Sequence, residues 1–347
     1  MKKITTLLLL SLVFVSFASA VDVVLDGWFE TKGELYKTVG DNDPTTKFGS
    51  NDFSVNVKVN GEGFGGEMGV GGWYPGEFVP SSSDFKVKQA YLWTDFNSSG
   101  MFKLFAGNDM EVISYSPNAI EGELFNDAFG LGLGRYDFQA MGNGYTGAKD
   151  GLIAEINLNN LSAAFVYSLG GGSEIVLEDN LKNAININFK YNMDSFGQIY
   201  AGYTPREDDG SLWIATSIKI IPQLLADIKF ESTLTKDANV KWISANLGYD
   251  IKNFVNLVSE TTYKITETQN DYFFGLKATP VVPVIGLDIE ASVSGNDTND
   301  ILGIGAAGVI KKSFGNLSTS LALTLSTSTA DDAEATIATS YKINMWF

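Results

Sequence analysis

Residues Phe53-Ser54-Val55-Asn56-Val57-Lys58-Val59-Asn60 carry an apolar side chain at every odd position and a polar one at every even position. Side chains of a strand point alternately to its two faces, so this octet has one apolar and one polar face only if it is extended. A helix would scatter the same residues around its surface. The pattern recurs at Ile185–Asn192, at Leu224–Leu234 with Asp227, Lys229 and Glu231 on the polar side, and at Ile285–Val293 with Asp288 and Glu290. The same standard gives candidate strands at 22–37, 51–60, 64–73, 84–96, 101–109, 151–159, 161–169, 183–192, 197–204, 211–220, 224–234, 240–249, 254–263, 271–280, 284–294, 301–311, 315–326 and 335–347. The count is eighteen. The glycine-rich 64–73 and the Gly/Ala-rich 301–311 are the weakest members, so sixteen stays open.

Two architectures bury an alternating strand: a sandwich, with its apolar faces turned inward, and a closed barrel, with its apolar face turned to lipid. Most of the segments approach the 9–11 residues of a tilted transmembrane strand. Aromatic residues gather at their ends, as Trp28, Tyr91, Trp93, Phe96, Tyr191, Tyr249, Tyr263, Tyr272 and Trp346, where an interfacial girdle would lie. Connections alternate between short (60–63, 97–100, 159–160, 193–196, 221–223, 250–253, 281–283) and mostly longer, more acidic ones (38–50, 74–83, 110–150, 170–182, 264–270, 327–334). Short turns at one rim and long loops at the other mark a membrane barrel, and an even strand number puts both chain ends at the short-turn rim. The expected fold is therefore all-β, a transmembrane antiparallel β-barrel of 16–18 strands in contact with outer-membrane lipid.

The chain ends agree with that fold. Lys2-Lys3, the apolar run Leu7–Phe17 and Ala18-Ser19-Ala20 have the three parts of a secretory signal peptide, which assigns 1–20 to export and 21–347 to the barrel. At the other end Tyr341, Ile343, Met345 and Phe347 form an apolar row, with Lys342 and Asn344 facing the other way. This ending resembles the C-terminal assembly signal of bacterial outer-membrane β-barrels. It implies recognition of the last strand by the barrel-assembly machinery and residence in the bacterial outer membrane.

Charge and missing residue types exclude other functions. Removing 1–20, which contain two lysines and no acid, takes the formal charge from −17 to −19, and the only arginines are Arg135 and Arg206. Nucleic acid needs a basic surface and is excluded as a partner. No cysteine is present, so disulfides and thiolate metal sites are closed, and without histidine the usual proton relay of serine or aspartate hydrolases is missing. Acidic clusters at Asp41-Asn42-Asp43, Glu207-Asp208-Asp209-Gly210 and Asp331-Asp332 have the composition of solvated loop tips, with weak binding of calcium or magnesium as the alternative. The chain is expected to be no enzyme and to need neither metal nor cofactor.

The longest connection, 110–150, carries Glu111, Glu121, Glu123 and Asp127, follows Asp109, and runs through Gly130–Gly134 to Arg135. By parity, Lys58, Lys86, Lys88 and Lys103 lie on the inward faces of the second, fourth and fifth strands. Acids on a long loop after the fifth strand, opposite a basic arc of wall, resemble the general diffusion porins of bacteria. The resemblance implies that this loop folds inward and that these ten residues form a pore constriction in a homotrimeric channel. It departs from that family in using lysine where arginine predominates. Sixteen or eighteen strands leave a wet lumen, so the expected function is passive diffusion of ions and small hydrophilic solutes, with cations preferred on account of the overall acidity. The alternative is a surface barrel acting as adhesin or antigen through its acidic loops.

Overall fold

A computed structural model describes residues 21–75, 86–96, 99–110, 148–168, 185–204, 209–235, 240–298 and 301–347. The expected signal peptide, 1–20, and Glu111, Glu121, Glu123, Asp127 and Arg135 lie outside these residues, as do the side chains of Lys86, Lys88 and Asp109.

Eighteen strands form one antiparallel sheet: β1 (Asp22–Val39), β2 (Thr45–Gly61), β3 (Phe64–Pro75), β4 (Lys86–Asp95), β5 (Phe102–Met110), β6 (Ala148–Leu158), β7 (Leu161–Ser168), β8 (Ile185–Asn192), β9 (Gly197–Thr204), β10 (Asp209–Ile221), β11 (Leu224–Thr235), β12 (Lys241–Ile251), β13 (Val255–Ile265), β14 (Asn270–Pro280), β15 (Gly286–Asn296), β16 (Leu302–Phe314), β17 (Leu317–Ser328) and β18 (Thr336–Trp346). Each strand pairs with its neighbours in sequence, and β1 pairs with both β2 and β18, so the sheet closes and has no free edge. Closure satisfies the backbone hydrogen bonds that lipid cannot supply. Strand number is settled at eighteen: 64–73 and 301–311 are β3 and β16, each paired on both sides.

Burial follows the opposite rule to that of a soluble protein. On β11, Ile228 exposes 48 % of its surface, whereas Asp227 and Lys229 on either side of it expose 0 % and 1 %. Leu212 and Ile214 on β10, Ile243 and Leu247 on β12, Phe274 and Leu276 on β14, and Leu321, Leu323 and Leu325 on β17 are likewise exposed. Their inward neighbours Ser217, Ser244, Asn246, Glu260, Thr262 and Thr324 are buried. A continuous apolar exterior is stable only where the solvent is hydrocarbon, so the outer face is the lipid face.

One irregularity corrects the expected girdle. The β3–β4 register passes from Gly69↔Gln89 to Val70↔Val87, so Lys88 is an extra residue and the parity of β4 changes there. Tyr91 and Trp93 consequently face inward: the Tyr91 hydroxyl donates to Glu67 Oε2 at 2.9 Å, and the Lys103 ammonium sits 5.3 Å from the Trp93 ring centre. Trp28 lies on the inward side of β1 with Asp26 and Glu30, in register with Trp346. Tyr191, Tyr249 and Tyr263 stay exposed on the outer face.

The connections 62–63, 159–160, 222–223, 252–254, 281–285 and 315–316 are short turns at one rim, whereas 40–44, 266–269 and 329–335 lie at the other. Asn159, Asp194 and Asn253 take positive φ in the short turns, a conformation their side chains tolerate. Val284 does so at φ 80° in the β14–β15 turn, where a β-branched side chain is strained. Val284→Gly is expected to stabilise the refolded barrel by about 1 kcal/mol net of glycine's extra chain entropy. Val284→Pro, whose φ is locked negative, is expected to lower stability, and urea titration in vesicles measures both.

Candidate functional site

The inward face of β1 follows from its sequence. Asp26, Trp28, Glu30, Lys32 and Glu34 recur at every second residue, and a register shift between Glu34 and Tyr36 brings Lys37 onto the same side. Each charge has a cross-strand or same-strand partner. Lys58 Nζ on β2 lies 2.8 Å from Asp26 Oδ2 and 3.7 Å from Glu67 Oε1 on β3. Asn56 Nδ2 donates to Asp26 Oδ1 at 2.9 Å, and the Gln89 amide donates to Glu67. Glu30 takes Lys342 of β18 at 2.8 Å and Lys32 at 3.5 Å, and Glu34 takes Lys37 at 3.6 Å.

The far wall is built differently. From β4 to β13, among the described residues, four lysines lie over aromatic rings: Lys103 over Trp93, Lys190 over Tyr200 at 5.4 Å, Lys229 over Trp213 at 5.7 Å and Lys264 over Trp242 at 5.0 Å. A ring quadrupole attracts an ammonium by about 0.5–2 kcal/mol, more where water is excluded. Carboxylates complete the neutralisation, with Glu231 at 3.0 Å from Lys229 and Asp271 at 3.6 Å from Lys264. Asp288 sits between Lys277 at 3.4 Å and Lys311 at 2.5 Å. Beside these pairs is an apolar cluster of Ile153, Ala164, Val166, Tyr200, Trp213 and Ala215, against which Tyr91 and Phe105 pack. The polar rows expected around the whole lumen are therefore interrupted between β4 and β10.

Lys58 and Lys103, expected at the constriction, face the lumen, but neither belongs to an uncompensated basic arc. Lys58 is held between two acids, and Lys103 stands in register with Asp95 on one side and Glu155 on the other. The backbone places Lys86 opposite Gly71 and Lys88 at the register shift. The column Asp26, Glu30, Lys32, Glu34, Lys37 was missed by the reading for lysine clusters, although its period-2 spacing is written in the sequence. Among the described residues no group of three or more acids, histidines or cysteines is placed to hold a metal. Chemically, the wall offers charge-paired polar surface that hydrates ions and polar solutes while its local fields largely cancel.

Neither a protein-family model nor a curated protein matches the sequence. Solved structures do match in fold. OccK3 (OpdO) of Pseudomonas aeruginosa superposes with a TM-score of 0.56 at 9% identity, covering 94% of this chain and 96% of that one. The trimer form of OmpT, an outer membrane protein of Vibrio cholerae, gives 0.51 at 13% identity over 95% of this chain and 100% of its own. An anion-selective porin from Comamonas acidovorans gives 0.50 at 13% identity, over 94% and 100%. Almost the whole chain thus shares the fold of these outer-membrane barrels, a closed antiparallel sheet, here of eighteen strands.

Proposed function

We propose that the protein is a channel of the bacterial outer membrane through which ions and small hydrophilic solutes diffuse passively. The observation that carries this reading is the inversion of burial: an apolar exterior surrounds a wall of charged and hydroxylated side chains, closed into a ring of eighteen strands. A ring of that size encloses more space than side chains on the wall can fill. Ion pairing along the lumen argues for weak selectivity. A modest cation preference comes instead from the long-connection rim, where Asp41, Asp43, Asp331 and Asp332 raise the local cation concentration. The expected constriction residues Lys58, Lys86, Lys88, Lys103, Asp109, Glu111, Glu121, Glu123, Asp127 and Arg135 stand as part of this proposal, as do homotrimerisation and insertion by the assembly machinery through β18.

Planar-bilayer recording of the purified protein is the test. Stepwise conductance is expected, with a reversal potential under a salt gradient displaced modestly towards cations. A clear anion preference would overturn the role given to the acidic rim. Absence of steps, together with specific binding of a host ligand, would replace the channel reading with that of a surface antigen.

A further inference from the structure

The inward side chains differ in their access to water from one side of the lumen to the other. Asp26, Lys32, Lys37 and Lys58 expose 36 %, 32 %, 34 % and 39 % of their side chains. From β11 to β15 the ion-paired inward side chains are more closed: Lys229, Asp271, Lys277, Asp288 and Glu290 expose 1 %, 9 %, 13 %, 4 % and 5 %, and Glu231 and Lys264 expose 21 % and 24 %. The open residues are also aligned. Asp26 and Lys37 are eleven residues apart on one strand, about 36 Å along it and roughly 28 Å in height at a tilt near 40°. That is close to the apolar thickness a barrel must cross.

We propose that the aqueous passage runs along β1, and that Asp26, Glu30, Lys32, Glu34 and Lys37, with Lys58 beside them, are the charges a permeating solute meets. The assignment rests on the channel function proposed above. Both signs follow one another up the same strand, so a cation and an anion each find partners along it, and so does a small solute carrying both charges. The ring-backed lysines Lys190, Lys229 and Lys264 take no direct part. The balance of three acids and three lysines along the column keeps the lumen itself weakly selective.

The chain contains no cysteine, so single thiols report their own surroundings without background. Lys32→Cys and Lys58→Cys test the column, and Ser244→Cys and Thr262→Cys test the far wall at small, nearly isosteric cost. Each variant is reconstituted as the full mature chain, and conducting channels are exposed to sulfonatoethyl or trimethylammonioethyl methanethiosulfonate; a channel that conducts before the reagent is added has folded. At Lys32→Cys and Lys58→Cys the current is expected to fall by about a third or more, and the two reagents are expected to displace the reversal potential in opposite directions. The two far-wall variants are expected to keep their current. Equal effects at Ser244→Cys, or modification of Lys32→Cys and Lys58→Cys without change in current, would overturn the placement of the passage. If the wild-type barrel carries no current, the channel reading fails by itself. Thiol labelling in vesicles then still reports whether the β1 column is the open side, and equal labelling of the far wall overturns that as well.

Discussion

Leu323→Arg is expected to destabilise the assembled barrel by about 2–4 kcal/mol, the cost of a guanidinium near the middle of a lipid-facing strand. That corresponds to a fall of roughly thirtyfold to a thousandfold in the folding equilibrium. Leu323 is exposed at the centre of β17, flanked on the same face by the exposed Leu321 and Leu325. Ser326→Arg, three residues further along the same strand, is expected to cost at most about 1 kcal/mol, in keeping with the tolerance of lumen positions. Ser326 lies on the opposite face and pairs with Gly305 of β16, which has no side chain to obstruct a longer neighbour. Urea titration of both variants refolded into vesicles separates the two faces. Equal costs would overturn the assignment of the two faces, and the reverse order would mean that they have been exchanged.

That contrast depends on side-chain parity, which was the most legible property of the sequence. Period-2 alternation located every strand, because one buried-polar and one lipid-facing side must be kept up along each of them. β16 was a weak candidate because Gly303, Gly305, Ala306, Ala307 and Gly308 give little alternation to read. It is held by its ladders to β15 and β17 rather than by side-chain contrast. Parity failed where a backbone insertion is silent in composition. The extra residue at Lys88 turns Tyr91 and Trp93 from the expected girdle to the lumen, and nothing about a lone lysine announces a bulge. The β1 column was illegible for another reason. Its acids and lysines cancel in any local tally of charge, so a search for a one-signed cluster passes over it, although the alternation Asp26, Trp28, Glu30, Lys32, Glu34 is regular. The far-wall lysines show the same limit: their rings come from a neighbouring strand, and only the register brings Lys229 to Trp213 or Lys264 to Trp242.

Deleting Phe347 is expected to lower the amount of assembled barrel severalfold while leaving the current through each assembled channel unchanged. The β1–β18 seam runs from Val39↔Thr336 to Trp28↔Trp346, and Phe347 extends it by one more pair. Gly27 N donates to Phe347 O at 2.9 Å and Phe347 N donates to Gly27 O at 3.0 Å. The Phe347 ring lies over Gly27, where an added side chain would come within 2.6 Å of Cζ. Two hydrogen bonds at about 1 kcal/mol each, and roughly 1 kcal/mol more for the half-covered ring, make this contact worth about 3 kcal/mol at the join that closes the sheet. Gly27→Val should reproduce the deletion by displacing the ring, and Phe347→Tyr should retain assembly because the ring and both backbone bonds remain. Neither Gly27 nor Phe347 lies on the inward side of the seam that carries Asp26, Trp28 and Glu30, so conductance per channel provides a control independent of yield. Wild-type amounts of folded barrel from both the deletion and Gly27→Val would show that the seam closes without this pair. A changed single-channel current would show that the short-turn rim of the seam belongs to the passage as well.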